Sequence, residues 1–134
     1  MDSELALMPA IIFSDSVRRD ETTGRRALVG IFHRFISSHV PFTSPTFFAT
    51  AFVSNVRGQI QSLPVKIHIE NARGEILSHA TGEISAAHPV ARHDVFEIAF
   101  PLPITTFPSA GQYKAVVFVD GNLLGHRPFN VELG

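Results

Sequence analysis

Cysteine and tryptophan are both absent from this 134-residue chain, and tyrosine occurs once. Without cysteine there is no disulfide, no thiolate metal site and no cysteine nucleophile, so packing and backbone pairing alone hold the fold. With so few other aromatics, ring area rests on 12 phenylalanines. Phenylalanine has no polar handle, so these rings belong in a core or a dry interface rather than a wet cleft. Charge of one sign is also lacking. Eleven basic and 12 acidic residues give a formal net charge of −1, with no long run of either. Neither nucleic acid nor an acidic membrane is therefore an expected partner. No apolar run approaches the ~20 residues that span a bilayer. Met1-Asp2-Ser3-Glu4 is acidic where a secretory signal would be basic, and Pro9 interrupts Leu5 to Phe13. The expectation is a soluble, cytoplasmic protein.

The motifs of several enzyme classes are missing as well. No serine sits in a Gly-x-Ser-x-Gly setting, and Gly24, Gly30, Gly58 and Gly74 are isolated rather than grouped into a phosphate loop. Catalytic residues, cofactors and enzymatic activity are not expected.

What is present is β-structure. The length suits one domain, residues 1–134, and helical periodicity is weak, while short β-rich runs recur between turn signals about every eight to twelve residues. Leu5 to Phe13 is the first expected strand, and polar Asp15 to Arg25 reads as a connection. Arg26 to Ile36 and Thr46 to Val56 are apolar on both parities, as expected of strands with a partner over the second face. Val40 to Pro45 is a linker. Leu63 to Glu70 alternates, with Leu63, Val65, Ile67 and Ile69 inward. The loop Asn71-Ala72-Arg73-Gly74 leads into Glu75 to Ile84. Pairing Glu70 with Glu75 would set Ile69 opposite Ile76 and Ile67 opposite Ser78, giving that strand an inner face of Ile76, Ser78, Ala80, Gly82 and Ile84. His93 to Phe100 follows, ended by Pro101 and Pro103. Tyr113, Ala115, Val117 and Val119 share a face, and Asp120-Gly121 is a two-residue hairpin turn. Keeping Phe129, Val131 and Leu133 inward requires one extra residue in the last ladder, expected at Gly125.

Gly111-Gln112-Tyr113-Lys114-Ala115 fits the tyrosine corner of immunoglobulin-like folds, with Ala115 where antibody domains hold a cysteine. The expected fold class is all-β: an immunoglobulin or fibronectin type III-like Greek-key β-sandwich of about eight strands. The chain also resembles a family of short, uncharacterised bacterial proteins, a domain of unknown function. The resemblance is carried by Ser14-Asp15-Ser16-Val17-Arg18-Arg19, Ala27 to Phe32, Phe107-Pro108, Gly111, Tyr113, Val119-Asp120-Gly121, Leu124-Gly125 and Arg127-Pro128. It implies a stand-alone cytosolic β-sandwich and brings no activity with it.

Two functional readings come from different residues. In the leading one the protein is a non-enzymatic interaction or structural module. Val116 and Phe118, on the outer parity of the seventh strand, would lie beside Phe47 and Phe48 of a neighbouring strand. Together they would form an apolar patch for a protein partner or a second copy. The alternative is a small-ligand binder using Asp15, Arg18 and Arg19 at one end of the sandwich, with an Asx turn at Asp15. A metal site is not expected. His68 and His79 would be diagonal neighbours on one outer face near Glu70 and Glu83, and a cation there would need a third ligand. His88, His93 and Asp94 form a weaker set.

Overall fold

A computed structural model describes residues 7–54, 62–85 and 95–134. Among the described residues the chain is all-β, and no helix is long and apolar enough to cross a membrane. Eleven strands form in order: β1 Leu7–Arg19, β2 Arg26–Phe32, β3 Phe35–Ser37, β4 Phe42–Ser44, β5 Phe47–Ser54, β6 Leu63–Glu70, β7 Ile76–Ile84, β8 Val95–Leu102, β9 Thr105–Phe107, β10 Gly111–Val119 and β11 Asn122–Leu133. They make a four-stranded sheet β2-β1-β5-β8, a five-stranded sheet β3-β11-β10-β6-β7 and a small pair β4-β9.

The count exceeds the expected eight for two reasons. The run Arg26 to Ile36 breaks at His33 and Arg34, so β2 pairs with β1 while β3 crosses to the other sheet and runs parallel to β11. The expected linker Val40 to Pro45 contains β4, which pairs with β9 from the segment after β8. Pro101 does not end β8: it lies within it, opposite Phe48. Among the described residues β8 pairs only with β5, so a residue lacking an N–H is tolerated on its other edge.

The two large sheets share one core. Ala49, Ala51 and Val53 of β5 and Ile67, Ile69, Ala115 and Val117 of β6 and β10 are all fully buried. Their small inward groups on β5 let the opposite sheet approach closely. Seven of the phenylalanines, Phe13, Phe32, Phe35, Phe42, Phe47, Phe107 and Phe129, join Tyr113 in one network of edge and stacked contacts. Each such pair adds roughly 0.5–1.5 kcal/mol beyond the area it buries. This is the dry use of phenylalanine that the composition implies. The Tyr113 hydroxyl donates to the Ser109 carbonyl at 2.7 Å, which closes the corner at the start of β10. Arg127 reaches inward from β11, donates to the Ile11 carbonyl at 2.7 Å and lies 4.7 Å from the Phe13 ring centre, so it ties the two sheets together.

Two hairpin registers differ from the expected ones. In the last hairpin Asp120 and Gly121 both adopt positive φ, the conformation a two-residue turn needs. The extra residue is Leu124 rather than Gly125, so Val117 faces Gly125. Between β6 and β7 the Asn71 side-chain oxygen accepts the N–H groups of Arg73 and Glu75, and a bulge inserts Leu77. Ile69 therefore faces Ser78 and Ile76 is 58% exposed, which overturns the inward assignment of Ile76.

The largest departure is β1. It continues through Asp15 to Arg19, and the turn lies at Asp20 to Arg25, with Asp20 Oδ1 accepting from Thr22 and Thr23 at 2.8 and 3.1 Å. The expected Asx turn at Asp15 is replaced by one at Asp20. Arg26 donates from Nη1 to the Glu97 carbonyl of β8 at 3.4 Å. Glu97 pairs with Phe52 and Phe52 with Ala10, whereas Arg26 pairs with Arg19, nine residues further along β1. Nine residues of strand cover roughly 30 Å, more than any side chain spans. The β1–β2 ribbon therefore curls back across the four-stranded sheet. Ser14 and Thr50, on the outer parity there, have no exposure.

Candidate functional site

Strict alternation on β10 puts Tyr113, Ala115, Val117 and Val119 into the core and Lys114, Val116 and Phe118 on the outer face. The ladders with β6, β7 and β11 then arrange that face in three rows. Ile76, Glu70, Lys114 and Pro128 form one. His79, His68, Val116 and His126 form the next, and Thr81, Lys66, Phe118 and Leu123 the third.

The first row and the middle row are joined by charge. Lys114 Nζ lies 3.2 Å from Glu70 Oε1, and His68 Nε2 lies 3.1 Å from Glu70 Oε2. Burial pushes the Glu70 carboxyl up, but hydrogen bonds and positive charge from Lys114 and His68 outweigh it and hold the group below its ordinary value. His68 is buried although it stands on an outer face, and its Nδ1 has no hydrogen-bond partner among the described residues. Its ring centre is 5.4 Å from that of Phe118.

The third row is the most apolar. Phe118 is half-buried with the Lys66 ammonium 5.1 Å from its ring centre, and Leu123 beside it is 64% exposed. Beyond this row an open depression of about 690 Å³ is lined by Pro64, Lys66, Glu83, Phe118 and Gly121. Another, of about 580 Å³, lies at the opposite end of the face beside Glu70, Lys114 and His126.

The four expected interface residues do not converge. β5 pairs with β1 and β8, and β10 with β6 and β11, so Phe48 and Phe118 belong to different sheets. Phe47 and Phe48 are successive residues and take opposite faces: Phe47 is 2% exposed among Phe13, Phe32 and Phe35, while Phe48 is half-buried on the outer side. Val116 and Phe118 remain together. The second expected group also divides. Asp15 lies inside β1 against Gly30, whereas Arg18 and Arg19 stand exposed near the ribbon tip with Arg25 and Arg26.

His68 and His79 are directly opposite in the ladder rather than diagonal, because the bulge at Leu77 shifts the register. The nearest carboxylate, Glu70, is engaged by Lys114. Among the described residues no three histidine or acidic groups converge as a metal site. His88, His93 and Asp94 lie outside the described residues. The signal for Leu123 and His126 is the two-residue turn: pairing Val119 with Asn122 sets Leu123 opposite the outward Phe118, and the one extra residue after it leaves His126 opposite Val116.

Residues 9–132 match a family of unknown function, DUF6941. The chain belongs to that family. No curated protein matches it. Among solved structures, the chain is similar to a beta-glucuronidase from glycoside hydrolase family 2, at 8% identity and a TM-score of 0.43 over 70% of this chain and 10% of that one. It is also similar to Pseudomonas fluorescens alkylpurine DNA glycosylase AlkC bound to DNA containing an abasic site analog. There the identity is 15% and the TM-score 0.40, over 75% of this chain and 29% of that one. This DUF6941 chain thus spans a tenth of the first structure and under a third of the second.

Proposed function

We propose that this DUF6941 protein is a non-enzymatic interaction module whose docking surface is the outer face of the five-stranded sheet around Phe118. The observation that carries this reading is the third row of that face, where a half-buried phenylalanine and a largely exposed leucine stand side by side above a depression. An apolar centre bordered by Lys66, Glu83, Lys114 and Glu70 has the composition of a protein-docking patch, with its charge at the rim. A chain without cysteine suits a reducing cytoplasm as the setting.

We also read the architecture as an immunoglobulin-like Greek key of the fibronectin type III kind. In support, β1, β5 and β8 are ordered like strands A, B and E, and β11, β10, β6 and β7 like G, F, C and C′, with the Tyr113 corner before the F-like strand. The β2 and β3 strands and the β4-β9 pair are additions to that plan.

The test is association. Size exclusion with light scattering, and affinity capture from the native host, should both register a partner or a second copy that Phe118→Glu removes. Phe118 is half-buried on an outer face, so the variant should still fold. A mass and a captured set that are the same for Phe118→Glu and the parent protein would sink the reading.

A further inference from the structure

The tip of the β1–β2 ribbon has a charge density found nowhere else along the chain. Four of the nine arginines fall between Arg18 and Arg26, with Asp20 and Glu21 the only acids there, so four positive charges less two negative leave +2 locally, against −1 for the whole chain. Arg18, Arg19, Arg25 and Arg26 are all exposed and line one open depression of about 380 Å³. The ladder sets Arg19 directly opposite Arg26. Like charges across an antiparallel pair repel, which makes this an unfavourable pairing for a protein to hold without a counter-charge. Asp20, already counted in that balance, forms an ion pair with none of the four and instead holds the turn, its Oδ1 accepting from the Thr22 and Thr23 N–H groups. The ion pairs among the described residues involve none of these four arginines. Among the described residues Arg26 alone of the four has a protein acceptor, the Glu97 carbonyl, at a long 3.4 Å.

All four cations are arginines, although the chain also uses lysine at Lys66 and Lys114. A guanidinium is a rigid planar fork that meets two oxygens of one phosphate at once, and an ammonium does not. We propose that the ribbon tip is a binding site for a small phosphate-bearing anion, a di- or triphosphate group, held between Arg19 and Arg26 with Arg18 and Arg25 at its border. An anion of two or more negative charges cancels the local excess and turns the repelling pair into a bridged one. The site lies on a different sheet from Phe118 and is independent of docking there.

Isothermal titration with pyrophosphate at constant ionic strength should show one-to-one binding, at least tenfold tighter than sulfate. Arg19→Ala combined with Arg26→Ala should weaken it at least tenfold, and Arg19→Ala alone, which leaves the Arg26 contact to Glu97 in place, should weaken it several-fold while the free variant melts no lower than the parent. Arg19→Lys with Arg26→Lys, which keeps the charge and loses the fork, should weaken it several-fold. Arg34→Ala, which removes a partner of Glu132 away from the tip, should change nothing. Failure of pyrophosphate to bind, full affinity in the lysine pair, or an equal loss in Arg34→Ala would each overturn the site. So would binding of a single-stranded oligonucleotide that outcompetes pyrophosphate, falls steeply with salt and is lost in the alanine pair, because the tip would then be a nucleic-acid contact.

Discussion

Two long antiparallel ribbons frame this molecule, and they are held by different forces. The β10–β11 ribbon is flanked by β6 on one side and β3 on the other, and its inward residues from Tyr113 to Val131 are buried in the common core. The β1–β2 ribbon starts the same way, with Ile11 and Phe13 buried, but beyond Ser14 it has no core beneath it. Val17 and Leu28 are only half-buried, and the tip is held by turn hydrogen bonds and the Arg26 contact to β8. Cooperative stability resides in elements rich in buried apolar contacts, and exposed hydrogen-bonded segments open locally at lower cost. The first ribbon should therefore behave as part of the global fold and the second as a locally stable arm.

The strongest way to break that contrast is to truncate an inward ring of the core ribbon. Phe129 is 5% exposed and touches Phe13, Phe35, Phe107 and Tyr113. Phe129→Ala should cost about 3–5 kcal/mol, the usual price of a large cavity among rings. Urea unfolding should show one cooperative transition moved to lower denaturant. A loss below about 1 kcal/mol would mean that the aromatic network is not what joins the sheets.

The same change in the arm should be smaller and confined. Gly30 has φ +71, and a Cβ there would collide with the Asp15 carboxylate opposite it. Gly30→Ala should cost about 1 kcal/mol through the left-handed backbone alone. Its signature is faster amide exchange at Val17 to Leu28 with little change at Tyr113 to Val119. Equal loss of protection in both ribbons would show that the arm is not an independent unit.

The contrast also explains what could be read from the residues alone. Leu63 to Glu70 was legible to its ends because apolar and polar side chains alternate along it, so polarity reports the period directly, although His68 on the polar face is buried. The Asp120-Gly121 turn and the Tyr113 corner were legible because each rests on local chemistry: positive φ in one case, a hydroxyl four residues from its acceptor in the other. The arm was not. Asp15 to Arg19 carries polar and charged side chains around a single apolar residue, the half-buried Val17, and a segment that polar is indistinguishable from a loop by periodicity. The expected meeting of Phe48 with Phe118 failed for another reason: which strands become neighbours is a long-range property, and alternation within each strand carries no information about it. Where the bulge falls depends on a single inserted residue, yet at Leu77 it turns Ile76 outward and sets His79 directly opposite His68, and at Leu124 it sets Val117 against Gly125.

The smallest expected effect concerns the charged row on the outer face of the five-stranded sheet, the counterpart to the uncompensated arginines of the arm. Glu70 holds both Lys114 and His68, and these partners depress its pKa in the folded state. A carboxyl depressed on folding contributes stability that is fully present above its unfolded value and is lost as pH falls through the lower folded value. Glu70→Gln should thus destabilise the protein at neutral pH by less than about 1 kcal/mol, because the Lys114 partner is 44% exposed and screened by water. Once the pH has fallen through the lowered folded value and the parent's carboxylate is itself protonated, the two proteins should converge. Thermal melts of both from pH 7 down to pH 3 give the comparison. A difference that stays constant across that range would assign the loss to the shape of the side chain rather than to its charge, and the row would then be held by packing around His68 and Phe118 instead of by the pairing with Lys114.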